Sequence, residues 1–393
     1  MSPVGLFFCV IAIATVPGLK SQSSVCSENL RAVAGPQENI LISPLNTYIA
    51  LSALHLGASH GTRADLAKIL KVPANSTELT ESNLHETLAK IVKSIQRQPD
   101  TDSYPLFTKV ELANGLFVQE GFPVKETYKK RLVDYYNGTA QNVDFKKGSE
   151  STNLINNWVS QKTFGRIPKL YEEPLESSTL AILLSTLYFN GTWKEEFSSW
   201  ATKEEKFNTG SAEITVPMMS GTGFVLYHSN PSLQYDAISL PYDGDDYAMI
   251  ILLPHLSQTV KNLTDHLHLV NLLSVKAAAT ITYVQYKIPK MKFSWKKSLA
   301  EALKAESIFN NPDLSELTPM AMKISEMIHA TEIEVDEKGT VASAVTGAQA
   351  VASSGFFTTE KPIPFHVTRS FLFGISHKPT CTLLFSGSVH KPM

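Results

Sequence analysis

The chain has 393 residues, 43% of them hydrophobic and 18% charged, which is enough apolar material for a large core and excludes a disordered protein. Its formal net charge is −2, so it carries neither the basic footprint of a nucleic-acid binder nor a basic patch for a membrane surface, and proteins are the expected partners. No Pro/Gly/Ser-rich or charge-blocked linker divides it before its last quarter, and a single domain over residues 22–393 is expected.

The apolar run from Val4 to Val16, with Leu6, Phe7, Phe8, Val10 and Ile11, is followed by Pro17-Gly18 and small polar residues. It has the form of a secretory h-region and is too short for a comfortable bilayer span, so residues 1–21 are expected to be a signal peptide, cut near Ser21. The competing reading is a buried N-terminal helix, because the preceding residues lack Lys and Arg. Removal of the signal takes Cys9 with it and leaves Cys26 and Cys381. Two thiols make no disulfide framework; they can pair or stay buried and free, and the free reading is preferred. Sequons at Asn75, Asn137, Asn190 and Asn262 are candidate glycosylation sites, consistent with an extracellular protein.

Ser43-Pro44 reads as N-cap and first residue of a helix carrying Tyr48, Leu51 and Leu54 and ended by Gly57. Thr62, with Asp65 three residues on, is expected to cap a second helix through Leu66, Ile69 and Leu70. Leu84 to Arg97 is helical in pattern, and Ile155, Trp158 and Val159 lie on a further helix that stops before Gly165. Strands follow at Ala181–Phe189, Ala237–Pro241 and Tyr247–Leu253, the last two forming a hairpin across Asp243-Gly244. Ile281–Ile288, Phe371–Ile375 and Leu383–Phe385 complete the strands, with a turn at His377-Lys378-Pro379. Helices crowd the first half and strands the second without regular alternation, which defines an α+β fold.

Catalytic and metal motifs are largely missing. There is no G-x-S-x-G elbow, P-loop or dinucleotide fingerprint. His85-Glu86 opens like a zincin motif, but Ala89 stands where its second His belongs. His266 and His268 are two apart and point to different faces of a helix, and Asp243, Asp245 and Asp246 lack the acidic end of a calcium loop. No enzyme activity, metal or cofactor is expected. Lys90, Lys93 and Arg97 share a helical face that suits weak binding of a sulfated polysaccharide, although an ordinary solvated face, diluted by Glu86, is preferred.

The informative tract is Thr340 to Ser353. Its even-numbered residues are Thr340, Ala342, Ala344, Thr346, Ala348, Ala350 and Ala352, all small, while the odd-numbered set is mixed, and no charge or proline interrupts it. Such a segment can lay its slim face on a packed core as an interior strand, and its polarity also suits an exposed loop. A flexible Ala/Ser/Gly linker is the alternative, but linkers have no need of alternate register.

The chain resembles the serpin family over nearly all of its mature length. The pieces that carry the resemblance are Asn39-Ile-Leu-Ile-Ser-Pro44, Leu56-Gly-Ala58 with Gly61-Thr62, Ile155-Asn-Asn-Trp-Val159 and Tyr188-Phe-Asn-Gly-Thr-Trp193. Leu240-Pro-Tyr242, Ile288-Pro-Lys290, Asp313-Leu-Ser315, His329, Glu334 to Thr340, Ser370-Phe-Leu-Phe373 and Leu384-Phe-Ser-Gly387 follow in order. The resemblance implies three β-sheets, eight or nine helices and an exposed reactive-centre loop over about residues 339–364. It implies a monomeric, secreted inhibitor that captures an extracellular serine protease as an acyl-enzyme and then inserts its cut loop into the main sheet. The hinge would comprise Glu337, Gly339, Thr340, Val341, Ala342, Ser343 and Ala344, with Val341 where inhibitors usually carry Glu. Family spacing puts the reactive bond at Ser353-Ser354, or at Phe356-Phe357 given the length of the loop, suiting elastase-like or chymotrypsin-like targets respectively. A sheet-opening cluster of Ser43, Asn46, Ser185 and His329 is implied, with Asn46 and Ser185 exchanged relative to the commoner pattern. A non-inhibitory carrier or chaperone is the alternative function.

Overall fold

The computed structural model describes residues 38–72, 83–96, 108–265, 272–298, 309–340 and 361–392. The segments expected to hold the signal peptide, Cys26, Asn75, Arg97, His266 and His268, and the loop residues Val341, Ala342, Ser343, Ala344, Ser353, Ser354, Phe356 and Phe357, lie outside these residues. Among the described residues, seven α-helices and two β-sheets make an α+β fold.

The described residues begin with β1 (Ile40–Ile42) and α1 (Pro44–Gly57). Ser43 caps α1 as its sequence predicts, its Oγ accepting from the Asn46 N–H at 3.2 Å. All residues of α1 are buried, so its polar members must find partners inside the protein. Helix α2 (His60–Ile69) begins earlier than expected, with Ser59 at the N-cap position. Thr62 is therefore not a cap: its Oγ1 accepts from the Asp313 N–H at 2.8 Å and ties α2 to a distant loop. Next come α3 (Leu84–Ile95), β2 (Thr108–Gln119), α4 (Glu126–Tyr136), β3 (Thr139–Val143), α5 (Gly148–Lys162) and β4 (Ala181–Thr192). The second half holds β5 (Lys203–Asn208), β6 (Glu213–Asn230), β7 (Tyr235–Pro241), β8 (Tyr247–Pro254), α6 (Val260–Asp265), α7 (Leu272–Ala278), β9 (Thr280–Pro289) and β10 (Met291–Ser298). It closes with β11 (Glu326–Val335), β12 (Gly339–Thr340), β13 (Ile363–His366), β14 (Phe371–His377) and β15 (Thr382–Val389).

One sheet runs β10-β11-β12-β4-β2-β3, with β11 also paired to β4, and the other has nine strands from β1 to β13. The expected three sheets become two continuous ladders because the long strand β6 belongs to two halves. Its first residues pair with β5, its middle with β9 and its last five with β7. The hairpin β7–β8 forms across Asp243-Gly244 as its turn chemistry predicts.

Strand β4 is apolar on successive residues because both its faces are covered. Leu183, Leu187 and Phe189 join the main core with α1, whereas Ile182 and Leu184 pack with Ile155 and Val159 of α5. The same division holds on β11, where Ile333 and Val335 face the main core and Ile328 and Ala330 face α5.

Candidate functional site

The site is a seam in the six-stranded sheet. Strands β4 and β11 pair in parallel from Ile182 opposite Glu326 up to Leu187 opposite Thr331. Above that point their pairing to each other ends. Gly339 and Thr340 occupy the space between their upper ends, antiparallel to both: Thr340 lies opposite Gly191 on β4 and Val335 on β11. These two residues, placed by sequence within an exposed loop, are strand and buried, and Ile363-Pro364 at the loop's other expected end pairs with β9. Backbone pairing to neighbouring strands is the reason for both differences.

The approach requires glycine. A Cβ on Gly339 would sit 2.0 Å from the Gly191 carbonyl oxygen, and one on Gly191 would meet the rings of Phe189 and Tyr242. The preceding turn is tied at several points. The Asp336 carboxylate accepts from the Lys338 and Gly339 N–H groups at 2.9 and 3.1 Å. The carbonyls of Asp336, Glu337 and Lys338 accept from the Trp193 indole, the Phe197 N–H and the Trp193 N–H. Glu337 receives Lys290 Nζ and Thr202 Oγ1, each at 2.8 Å. Partial burial opposes ionisation of Glu337, yet the Lys290 ammonium and Thr202 hydroxyl hold its carboxyl below the ordinary range. Thr340 Oγ1 meets the Tyr242 hydroxyl at 2.6 Å. Burial pushes that phenol far upward, so it stays neutral, and its ring stacks on Trp193 at 4.5 Å. The Thr340 side chain therefore points to the main-core face of the sheet.

Beneath the seam the structure gathers Ser43, Asn46, Ser185 and His329, all essentially without solvent contact. The Ser43 N–H donates to His329 Nε2 at 2.8 Å, which leaves the proton of the neutral ring on Nδ1, facing Ser185 Oγ at 3.2 Å. Burial lowers the His329 pKa to about 4, consistent with a neutral ring. The contact between His329 on β11 and Ser185 on β4 spans the seam. Asn46 does not complete a ring with Ser185: its amide donates to the Thr186 and Ala113 carbonyls and accepts from Asn114 Nδ2 at 2.6 Å. Asn114, on β2, escaped sequence reasoning because no local pattern marks a strand residue that meets a helix 68 positions away.

On the opposite face α5 is fastened across the seam. Lys162 pairs with Glu111 on β2 at 3.0 Å, and Arg166, just past α5, pairs with Glu334 on β11 at 2.6 Å.

The remaining sequence candidates lie elsewhere. Asn137 is exposed in a left-handed conformation at the end of α4, Asn262 is exposed on α6, and Asn190 is half-buried on β4. Lys90 and Lys93 are exposed on α3. His85, the start of the failed zinc motif, is buried against His55 and Tyr136, and among the described residues no group of three or more His, Cys, Asp or Glu is arranged to hold a metal ion. Asp243 and Asp245 sit at a hairpin tip, where Asp245 pairs with Lys194 at 2.6 Å. Cys381 is buried, its Sγ 3.5 Å from the Lys378 carbonyl oxygen.

A mixed sheet whose parallel central pair admits a short antiparallel segment, backed by a nine-stranded sheet and covered by α5, defines an α+β architecture that comparison with known proteins identifies. The family model described as "Serpin (serine protease inhibitor)" matches residues 21–392. Iripin-3 of Ixodes ricinus is 32% identical over 365 residues, covering 91% of this chain and 90% of the relative. Glia-derived nexin of Mus musculus is 30% identical over 370 residues, covering 91% and 88%. Among solved structures, thyroxine-binding globulin in complex with thyroxine superposes with a TM-score of 0.82 at 20% identity, covering 96% of this chain and 99% of that one. Mouse protein-Z dependent protease inhibitor gives 0.82 at 24% identity, covering 97% and 99%. The chain belongs to the serpin family.

Proposed function

We propose that this serpin is a secreted suicide inhibitor of a serine protease, and that its cleaved loop enters the six-stranded sheet between β4 and β11. The observation that carries the reading is the seating of Gly339 and Thr340 between those strands, antiparallel to both. Continued downward residue by residue in the cleaved protein, this register would set Ala342 between Phe189 and Ile333, Ala344 between Leu187 and Thr331, and Thr346 between Ser185 and His329. The flanking residues line the main-core face, so the slim even-numbered face of the tract would meet the core. Odd-numbered Val341 and Val345 would face α5. Thr346 would arrive where the His329–Ser185 contact crosses the seam and could replace it with its own hydroxyl.

In this reading the protease serine attacks the bond after Ser353, or alternatively after Phe356, and forms an acyl-enzyme; insertion then distorts the protease before water releases it. A small residue at the bond suits an elastase-like pocket and Phe a chymotrypsin-like one. Exposed Lys90 and Lys93 leave room for weak contact with a sulfated polysaccharide. The second reading is a non-inhibitory carrier. It rests on Val341 and on the shared fold of a thyroxine-binding globulin.

Incubation with elastase and with chymotrypsin tests the proposal. A complex stable on a denaturing gel, with the new N-terminus at Ser354 or Phe357, is the expected result, together with a higher melting temperature for the loop-cleaved protein. Clean cleavage with neither complex nor thermal gain favours the carrier.

A further inference from the structure

Among the described residues, strand β10 forms one edge of the six-stranded sheet and pairs only with β11. Beside its outer edge Glu38-Asn39 and Lys391 help close a cleft of about 510 Å³, walled also by Lys292, Phe293, Ser294, Trp295 and Lys296. The walls are fixed. Asn39 accepts from the His390 and Lys391 N–H groups at 2.7 and 2.9 Å, and the Lys292 N–H donates to the Pro392 carbonyl at 3.1 Å. The volume lies within the range of small-ligand sites, about 300–1,000 Å³.

Two independent features describe what would fit. The first is charge. Three lysines, Lys292, Lys296 and Lys391, and one carboxylate, Glu38, are among its lining residues, and Glu38 is itself paired with Lys297 at 3.4 Å. Lys292 is held by Glu334 at 3.1 Å, and Lys296 by the Leu170 carbonyl with the Tyr171 ring beneath it. Both are thereby drawn to the α5 face of the sheet, whereas Lys391 has no ion-pair partner among the described residues and is the uncommitted cation of the three. The second is an orphaned donor. Trp295 is 3% exposed, and its buried indole N–H meets no acceptor among the described residues. An unsatisfied buried donor destabilises the fold unless a ligand oxygen takes it up. Phe293 and the indole supply apolar wall around both features.

We infer that this cleft binds a small organic carboxylate with an aromatic body, its oxygens taken by Lys391 and the Trp295 N–H and its ring by Phe293 and Trp295. Occupancy reaches the seam through one contact. The Trp295 ring packs edge-on against His329 at 6.1 Å, and β10 is laddered to β11 over eight residue pairs. A ligand braced against Trp295 therefore stabilises the sheet in the arrangement described here. The site itself does not depend on the inhibitory reading.

The test is calorimetric titration of the full-length protein with 1-naphthoate and with the uncharged 1-naphthalenemethanol, alongside melting curves. Naphthoate is expected to bind at or below about 1 mM and to raise the melting temperature, with the alcohol at least tenfold weaker. Lys391→Gln, at an exposed position, and Trp295→Phe, which keeps the ring and deletes the N–H, should each weaken naphthoate about tenfold. Absence of binding and of a melting shift at that concentration overturns the inference. So does equal affinity of naphthoate for the native protein and both variants.

Discussion

Replacing Ala342 by arginine separates the proposed insertion from every reading in which the loop stays outside. On insertion, the register set by Gly339 and Thr340 would send residue 342 between Phe189 and Ile333, which are 2% and 0% exposed and belong to the main core. An unpaired guanidinium forced among them has a desolvation cost of several kcal/mol. If only about 3 kcal/mol of that is felt at the transition state for insertion, insertion slows more than 100-fold, and hydrolysis releases the protease first. The control is arginine at Val341, one residue earlier. It would point to the other face beside half-buried Asn190 and the Glu334 carboxylate, where a cation is tolerated. The assay is the fraction of protease held in a complex stable on a denaturing gel, together with the melting temperature of the cleaved protein. Ala342→Arg should yield cleaved protein with neither complex nor thermal gain, and Val341→Arg should keep both. Equal behaviour of the two variants refutes the register.

Three further outcomes follow from the seam. Gly339→Ala drives a methyl group into the Gly191 carbonyl, so the hinge strand should be expelled, and limited proteolysis near Lys338 should accelerate; unchanged protection would mean that the close approach is not required. Burial lowers the pKa of His329 and His377 to about 4 and of His85 to about 3. The unfolded chain then binds more protons below about pH 6.5, and stability complete above that pH declines as pH falls toward 4, by up to about 2 kcal/mol per histidine at about pH 5. Urea titrations at pH 7 and 5 read this directly, and His329→Gln should remove part of the slope. Glu334→Gln releases Arg166, about 30% exposed in the pair, so the loss of stability should stay within about 1 kcal/mol. Complex formation should quicken if α5 has to move for the loop to enter, and an unaltered rate would argue that it does not.

Local chemistry was legible wherever a short stretch fixes its own conformation. Ser43-Pro44 had to start a helix because a hydroxyl cap and a preset φ act within four residues, and Asp243-Gly244 had to turn a hairpin for a similar reason. Thr62 shows the limit of such reading: it has the chemistry of a cap, but Ser59 takes that position and its hydroxyl serves Asp313 instead. Strand β6 is half-buried and alternates weakly, so its 18 residues carried little signal until β5, β7 and β9 paired with it.

Sequence alone determined the α+β class, the family resemblance and the slim even-numbered face beyond Gly339, because composition, order and period two are properties of the chain itself. Tertiary structure alone decided where that face could go. The seam exists because β4 and β11, separated by more than a hundred residues, run parallel and then stop pairing at Leu187 and Thr331. The partners of Asn46, the Glu337–Lys290 tie and the Trp295 cleft are likewise meetings of distant segments. Hydrogen bonds and charge pairs act over a few ångströms of space, and the sequence orders residues along a chain whose crossings it does not state.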